Sequence, residues 1–413
     1  MREVVTAISL IDRLSPGLRI YLSAGSAEPL AFAELCSANP ECLADVQVIG
    51  SFVPGVNQVD YAAFHPRARM TTLLMPVMAR ASLKAGRLDI LPISYFGFAA
   101  FLQRFPPDLA IVHVTPPDSS GMCSLGPSAD FAPLVWSKAR HRVAFVNPSL
   151  PSPPGGYRLP FAEIDTAIDC DHPPIPLAPT RPSNTLTNIA LHVSRLIDDG
   201  DYIQAGLGGA PAAAVRALTS HKGLVVHSGM VSDEFIDLAA AGALAHEGHL
   251  AGIAIGSPDF YDRLPQIHGL TFVPTPLTHG PGALVATRRL KAINSALEVD
   301  LLGQANLEWR GSQLVSGVGG APDFLAGARL SPGGRAIVAL PSVAREKSRI
   351  VCRIDAPSIS IPRNVIDYVV TEHGVAHIRH LSVDARAQAL IGIAHPDHRA
   401  ELQRSWEELR DSF

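Results

Sequence analysis

The sequence is poor in charge, and it has no long apolar run. Only 17% of its residues are charged, compared with about 25% in an average soluble domain. The net charge of −4 and the scattered basic residues give no basic patch, which argues against nucleic acid or an anionic membrane as a partner. No apolar run reaches about 18 residues, so we expect no membrane-spanning helix.

Cysteine is also scarce, and its pattern excludes two common classes of site. The count is odd and the spacing irregular, which fits neither a disulfide framework nor a zinc motif. The cysteines are Cys36, Cys42, Cys123, Cys170 and Cys352. The first seven residues contain an acid and no long apolar region, so no signal peptide is expected. These features predict a reducing, cytoplasmic location.

Hydrophobic residues are abundant, at 47% of 413 residues, which suffices for two domains with large cores. Short β-branched runs such as 109–114 and 336–340 alternate with Ala- and Leu-rich segments such as 187–197. This alternation predicts an α/β fold with mostly parallel sheets. Dense prolines between His172 and Pro182 predict an extended linker. The boundary near residue 180 gives an N-terminal domain at 1–180 and a C-terminal domain at 181–413.

Glu298 is the strongest candidate for a chemical role. Strand alternation places it on the opposite face from Leu297 and Val299, within a mainly apolar run. A glycine-rich loop, Ser316–Gly320, follows soon after. A carboxylate nucleophile beside backbone amides is suited to acyl transfer through an anhydride. The alternative is an ordinary solvated or salt-bridged glutamate.

Two other glycine motifs leave alternatives open. Residues 206–211 and 317–322 share the pattern Gly-x-Gly-Gly-Ala-Pro. A proline replaces the third glycine of a dinucleotide fingerprint, which disfavours a Rossmann cofactor site. Gly374 follows the predicted strand 368–370. It either offers a bare amide to a ligand or belongs to an ordinary strand-to-helix turn.

A metal centre and a serine nucleophile are both disfavoured. The segment His246-Glu-Gly-His249 misses the zincin spacing His-Glu-x-x-His, and its Ala/Gly-rich surroundings predict an exposed bend. No ligand-spaced Cys/His cluster is present, so no metal requirement is predicted. No Gly-x-Ser-x-Gly elbow surrounds Ser228 or Ser316.

Several motifs, in order along nearly the whole chain, resemble the acetyl-CoA hydrolase/transferase family, which includes 4-hydroxybutyrate, butyryl and succinyl:acetate CoA-transferases. The motifs are Val114–Gly126 with Asp130-Phe131, Ile293–Gln304 around Glu298, Ser316–Phe324, Val370–Ala376 and Ala394–Arg399. The resemblance implies two similar α/β domains with an active site in the cleft between them. It also implies coenzyme A as a substrate, carried as acyl-CoA, a small carboxylic acid as the second substrate, and a homodimer or larger assembly.

The resemblance also implies roles for individual residues. Glu298 is the implied catalytic carboxylate, and the amides of Gly374 and Val273 are the implied oxyanion donors. The implied CoA-binding residues are Val273, Thr275, Gly317, Gly319, Gly320 and Gly374. The implied acyl pocket contains Gly25, Gly229 and Met230.

Three segments depart from the family pattern where the acyl pocket is expected. One of them, Tyr95-Phe96-Gly97-Phe98, stands in a region that is usually richer in polar residues. His227-Ser-Gly-Met230 stands for His-Thr-Glu-Met, and His279-Gly280-Pro281 stands for Asn-Asp-Pro. The sequence therefore leaves the acyl group unassigned. Three activities remain open: a CoA-transferase with a glutamyl-CoA intermediate, an acyl-CoA hydrolase on the same scaffold, and a non-catalytic CoA-binding protein.

Overall fold

The computed structural model describes residues 10–412, and the chain divides into two compact units. The first contains the residues up to Ala178 together with Leu250–Pro265 and Gly269–Thr278. The second contains Pro179–His249, Gln266–His268 and the chain from His279 onward. The first break lies in the proline-rich segment, where residues 170–183 form no helix or strand. The units are not two continuous stretches, and the domains at 1–180 and 181–413, with a cleft between them, stay a prediction.

The first unit is built on a seven-stranded parallel sheet with the order β4-β3-β2-β1-β5-β7-β9. Its first 178 residues contain the strands β1 Arg19–Leu22, β2 Gln47–Ile49, β3 Arg69–Thr72, β4 Leu88–Ile90, β5 Leu109–Val114, β6 Met122–Ser124, β7 His141–Val146, β8 Arg158–Pro160 and β9 Thr166–Asp169. The helices there are α1 Leu30–Ala38, α2 Arg80–Lys84, α3 Tyr95–Arg104 and α4 Ala132–Trp136. Every residue of β5 is buried, as expected for a central strand of a parallel sheet.

The rest of the chain repeats the alternation of strands and helices. Its strands are β10 Tyr202–Ala205, β11 Val225–Val231, β12 His249–Ala254, β13 Leu270–Phe272, β14 Leu290–Asn294, β15 Glu298–Asp300, β16 Ala305–Asn306, β17 Trp309–Arg310, β18 Gln313–Leu314, β19 Arg335–Ala339, β20 Val343–Ala344, β21 Lys347–Ser348, β22 Ile350–Val351, β23 Tyr368–Thr371 and β24 Gly374–His377. Its helices are α5 Asn184–Ser194, α6 Gly209–Arg216, α7 Asp233–Ala240, α8 Pro258–Arg263, α9 Thr275–His279, α10 Pro281–Ala286, α11 Ala321–Leu330, α12 Val383–Ile393 and α13 Pro396–Arg410.

In the second unit the main strands follow the order β11-β10-β14-β19-β23-β24. All neighbours from β11 to β23 are parallel, and β24 turns back antiparallel to β23. In both units the earliest strand lies between the next strand of the chain and a later one. The prediction of an α/β fold with mostly parallel sheets is confirmed.

The core of the second unit packs helices α11 to α13 against this sheet. Trp406 of α13 is fully buried, and its indole nitrogen donates to Asp384 of α12 at 2.8 Å. Phe324 of α11 and Val338 of β19 belong to the same apolar cluster. Burial of such side chains is the main stabilising term, at about 1.5–3 kcal/mol for each large one. Among residues 10–412, every helix is too short or too polar to cross a lipid bilayer.

Candidate active site

The candidate residues of the second unit lie at or after the carboxyl ends of its parallel strands. Gly229 and Met230 lie near the end of β11, and Glu298 lies four residues after the end of β14. Ser342 follows β19, and Glu372 follows β23. Because parallel strands end at one edge of their sheet, these residues approach the same edge. Ligands of open α/β sheets bind at that edge.

Glu298 begins β15 in a small three-stranded sheet with the order β16-β15-β22. Its side chain is half-buried, and opposite it in the antiparallel pair with β16 stands Asn306. The Asn306 Nδ2 donates to Glu298 Oε2 at 3.3 Å and to the Trp309 carbonyl at 2.7 Å. The Asn306 side chain is 1% exposed. This buried amide therefore offers the carboxylate a fixed hydrogen-bond donor.

Asp300, on the same face of β15, has a structural role. Its Oδ1 accepts from the amides of Leu302 and Gln304 at 3.1 and 2.9 Å, and its Oδ2 accepts from the Gln304 side chain at 2.7 Å. Burial raises the pKa of Asp300, and these hydrogen bonds oppose the rise. The Asp300 carboxylate stabilises the turn after β15, and both of its oxygens already accept hydrogen bonds.

Two side chains near Glu298 gave no signal in the sequence. Asn306 is separated from Glu298 by a turn, and only the β15–β16 pairing brings them together. Arg349 lies just before β22, which pairs in parallel with β15. The negative charges of Glu298 and Glu372 both favour the charged form of Arg349. The pairing of two-residue strands cannot be predicted from the sequence, because such strands are too short to show an alternation of apolar and polar residues.

Gly374 lies in a β-hairpin, and the alternative of a strand-to-helix turn is wrong. Thr371 of β23 pairs with Gly374 of β24 across a turn formed by Glu372 and His373. Gly374 has φ +148°, which side chains with a Cβ rarely adopt. Ser342 fixes Glu372 through two hydrogen bonds, from its amide at 2.8 Å and its hydroxyl at 2.7 Å.

The loop Gly317–Gly320 requires glycine for two different reasons. Gly319 has φ +57°, a left-handed conformation that glycine adopts at no steric cost. Gly320 has an ordinary φ of −88°, but a Cβ there would lie 2.5 Å from His279 Nε2. A Cβ on Gly229 would lie 2.6 Å from His279 Cε1. The buried His279 ring thus brings Gly229 and the loop together.

His279 is a neutral side chain in this position. Burial, followed by the nearby His227, lowers the pKa of His279 to about 3. Its ring centroid lies 4.5 Å from that of Phe324. Next to Gly229, the amide of Met230 donates to Ser228 Oγ at 3.4 Å. Two of the departures from the family pattern are therefore linked, because the His279 ring occupies the space that a side chain at position 229 would need.

Gly25, predicted for the acyl pocket, belongs to the first unit and follows β1. It has φ +63°, and a Cβ there would lie 2.5 Å from Ile253 Cδ1. Asn57 holds it through its Oδ1, which accepts from the Gly25 amide at 3.0 Å, and its Nδ2, which donates to the Gly25 carbonyl at 3.0 Å. The same Nδ2 donates to the buried Glu28 at 2.7 Å.

Val273 and Thr275 also lie in the first unit, where both already have partners. The Val273 amide donates to the Ala251 carbonyl at 2.9 Å, so an oxyanion would have to share it. Thr275 donates to Asp130 twice, from its amide to the carbonyl and from its hydroxyl to Oδ1, both at 2.9 Å. Burial raises the pKa of Asp130 to about 7, and its φ is +46°. The sequence gave Asp130 no chemical role.

The segment His246–His249 forms the expected exposed bend at 246–248, but His249 is buried. Its Nδ1 accepts from the Val226 amide at 3.0 Å, and its Nε2 lies 3.0 Å from the Ala245 carbonyl. Both ring nitrogens therefore stabilise the backbone. Within residues 10–412, no three His, Cys, Asp or Glu side chains are grouped as metal ligands.

Fold and site together define an α/β enzyme class whose candidate nucleophile is a carboxylate at a sheet edge. Residues 256–406 match the family model described as the acetyl-CoA hydrolase/transferase C-terminal domain. A succinyl-CoA:acetate/propanoyl-CoA:succinate CoA transferase of Fasciola hepatica is 31% identical, with 95% of this chain and 85% of that protein covered. A 4-hydroxybutyrate coenzyme A transferase of Clostridium kluyveri is 29% identical, with 98% and 97% covered.

A solved structure extends this similarity to the fold. The 4-hydroxybutyrate CoA-transferase of Porphyromonas gingivalis is 30% identical, with a TM-score of 0.80, and covers 100% of this chain and 98% of its own. The chain belongs to the acetyl-CoA hydrolase/transferase family. It is therefore an enzyme, as the resemblance predicted.

Proposed function

We propose that this enzyme is a CoA-transferase that moves CoA from an acyl-CoA to a short-chain carboxylic acid through a thioester on Glu298. The half-buried Glu298 carboxylate, held by the Asn306 amide at the carboxyl edge of the sheet, carries the proposal. The relatives' names support it, since the two named above and the solved structure are all CoA-transferases.

The reaction proceeds in two matched halves. A Glu298 oxygen attacks the acyl-CoA carbonyl, the C–S bond breaks, and CoA leaves as a thiolate, which yields an acyl-glutamyl anhydride. The thiolate then attacks the glutamyl carbonyl, releasing the first acid as a carboxylate and leaving a glutamyl-CoA thioester. The acceptor acid reverses both steps and carries CoA away. This is covalent, ping-pong catalysis that neither gains nor loses a proton overall.

The other residues act around this carboxylate. We assign the oxyanion to the amide of Gly374, a type of donor that contributes roughly 3–4 kcal/mol in other enzymes. Val273 is a weaker candidate because its amide already donates to Ala251. The loop Gly317–Gly320 and Thr275 contribute to CoA binding, and remote contacts with CoA lower the barrier of the chemical step. Gly25, Gly229 and Met230 are the residues that the family resemblance implies for the acyl pocket.

A hydrolase remains the second candidate, because the family description names both activities. The two differ only in whether water or an acid attacks the glutamyl-CoA thioester. A panel of acyl-CoAs crossed with a panel of short-chain acids, read by mass spectrometry, separates them. A transferase forms a new acyl-CoA in proportion to the added acid. Free CoA released at a rate that no acid changes would contradict transfer and favour hydrolysis.

A further inference from the structure

Arg349 is a cation beside Glu298 with a fixed main chain. Its amide donates to the Ser342 carbonyl at 2.8 Å, and its carbonyl accepts from the Val299 amide at 2.8 Å. The next residue, Ile350, pairs in parallel with Val299. Arg349, one residue before β22, is therefore the neighbour of Glu298 on that side of β15, as Asn306 is its neighbour in β16. Side chains opposite each other in paired strands share a face.

The Arg349 side chain is partly buried, and the charges around it favour an anionic ligand. Burial, followed by repulsion from Arg310, lowers the pKa of Arg349, while Glu298 and Glu372 raise it. A guanidinium stays charged throughout the working range of an enzyme. Its five N–H donors form no hydrogen bond and no close ion pair with any residue in the described range 10–412. Donors that are partly buried and unpaired are costly unless a ligand or water accepts from them.

The charge at this place changes during the proposed reaction. In the free enzyme the negative charge of the Glu298 carboxylate favours the charged form of Arg349. In the glutamyl-CoA thioester Glu298 has lost its charge, and the positive charge of Arg349 remains. The acceptor acid must place its own carboxylate at the Glu298 carbonyl to react. Its negative charge therefore arrives where the charge of Glu298 was lost.

On the basis of the proposed function, we propose that Arg349 binds the carboxylate of the acceptor acid in the glutamyl-CoA state. A carboxylate oxygen of the acid attacks the thioester carbonyl, the C–S bond breaks, and CoA leaves as a thiolate. The thiolate then attacks the carbonyl of the acid in the anhydride, and the C–O bond to Glu298 breaks. Glu298 regains its carboxylate beside Arg349, and the acid leaves as acyl-CoA.

The test compares an anionic with a neutral acceptor. Wild type, Arg349→Gln and Arg349→Lys are loaded with acyl-CoA to form the thioester, and its discharge is followed by rapid quench with acetate or hydroxylamine. In Arg349→Gln we expect discharge by acetate to slow about a hundredfold, as when one partner of a buried charge pair is removed. Discharge by hydroxylamine should be unchanged, and Arg349→Lys should recover part of the acetate rate. Arg353→Gln, at an exposed arginine four residues on, is the matched control and should behave as wild type.

Each outcome bears on one claim. Absence of any thioester in the wild type would overturn the proposed function itself. A thioester in the wild type together with equal slowing for both acceptors, or none, would overturn only the role of Arg349. Failure of both Arg349 variants to form the thioester would also contradict this role. It would mean that Arg349 is needed in the first half-reaction, before the acceptor acid binds.

Discussion

The imidazole of His279 fills the space that a side chain at Gly229 would need. The missing Cβ of Gly229 would lie 2.6 Å from His279 Cε1, and that of Gly320 would lie 2.5 Å from Nε2. Contacts below about 3 Å are not tolerated without movement, and a closely packed interior has little room for it. His279, Gly229 and Gly320 therefore form one packed cluster that links the predicted acyl pocket to the glycine loop.

Gly229→Ala should lower the stability of the fold by about 1–3 kcal/mol, the usual cost of overpacking a filled site. Thermal and urea unfolding measure this loss. The matched control is Gly282→Ala in α10, where a Cβ meets nothing within 4 Å. Since alanine is a better helix former than glycine, this control should be neutral or stabilising. Equal unfolding midpoints for the two variants would refute the packing of His279 against Gly229.

Acidification should destabilise the fold through His279. Its pKa is near 6.5 when unfolded and about 3 when folded. Between these values the unfolded chain binds a proton that the folded chain does not, so stability falls as the pH drops from about 6.5 toward 3. The loss attributable to this residue at pH 5 is about 2 kcal/mol. His279→Gln should show a smaller fall between pH 7 and pH 5 in urea unfolding, and an unchanged pH dependence would contradict this reading.

Gly374→Ala should reduce turnover and stability together. At φ +148° an alanine is strained by roughly 1–3 kcal/mol, and relief of that strain would move the amide proposed to hold the oxyanion. Gly392→Ala is the control, since it lies in α12 and its Cβ would meet nothing within 4 Å. We expect kcat to fall at least about tenfold for Gly374→Ala and to stay unchanged for the control. A Gly374→Ala enzyme with wild-type kcat would remove this residue from the site.

Asn306→Asp should impair the nucleophile directly. The change replaces the amide that donates to Glu298 at 3.3 Å with a second carboxylate, which repels it. Its Oδ1 can still accept from the Glu308 and Trp309 amides, but the bond from Nδ2 to the Trp309 carbonyl is lost, so thermal unfolding must show that the variant still folds. We expect kcat/KM to fall about tenfold or more, as for the loss of a charge-assisted hydrogen bond. Asn364→Asp, an exposed substitution in the same unit, should leave kcat/KM unchanged.

Sequence patterns predicted the long elements well because those elements carry a clear period. The run 109–114 became the buried strand β5, and the segment 187–197 lies largely within α5. The return of residues 250–265 and 269–278 to the first unit was not predictable, since it rests on long-range contacts. The hairpin at Gly374 was not predictable from the sequence. A short turn after a strand has the same local composition whether a helix or a second strand follows it.

The candidate site was predictable only in part, and for a similar physical reason. Glu298 was visible as a carboxylate in an apolar run. Its neighbours Asn306 and Arg349 reach it through strands of two or three residues, which have no sequence signature. The coupling of Gly229, Gly320 and His279 depends on atomic contacts between distant segments. Such contacts follow from packing and not from spacing.

The most direct test of the account is to trap and locate the covalent intermediate. The enzyme is mixed with acyl-CoA alone, treated with borohydride, and digested for peptide mass spectrometry. We predict that CoA is attached to Glu298 as a thioester, and that borohydride reduces Glu298 to an alcohol and inactivates the enzyme only when acyl-CoA was present. Glu298→Gln should lose the adduct and at least about a thousandfold in kcat.

The control is Glu308→Gln, which changes another glutamate of the same segment that accepts from Ser360 at 2.7 Å. It should retain the adduct and most of the activity. An adduct on any other residue, or a Glu298→Gln enzyme that turns over at the wild-type rate, would contradict covalent catalysis by Glu298.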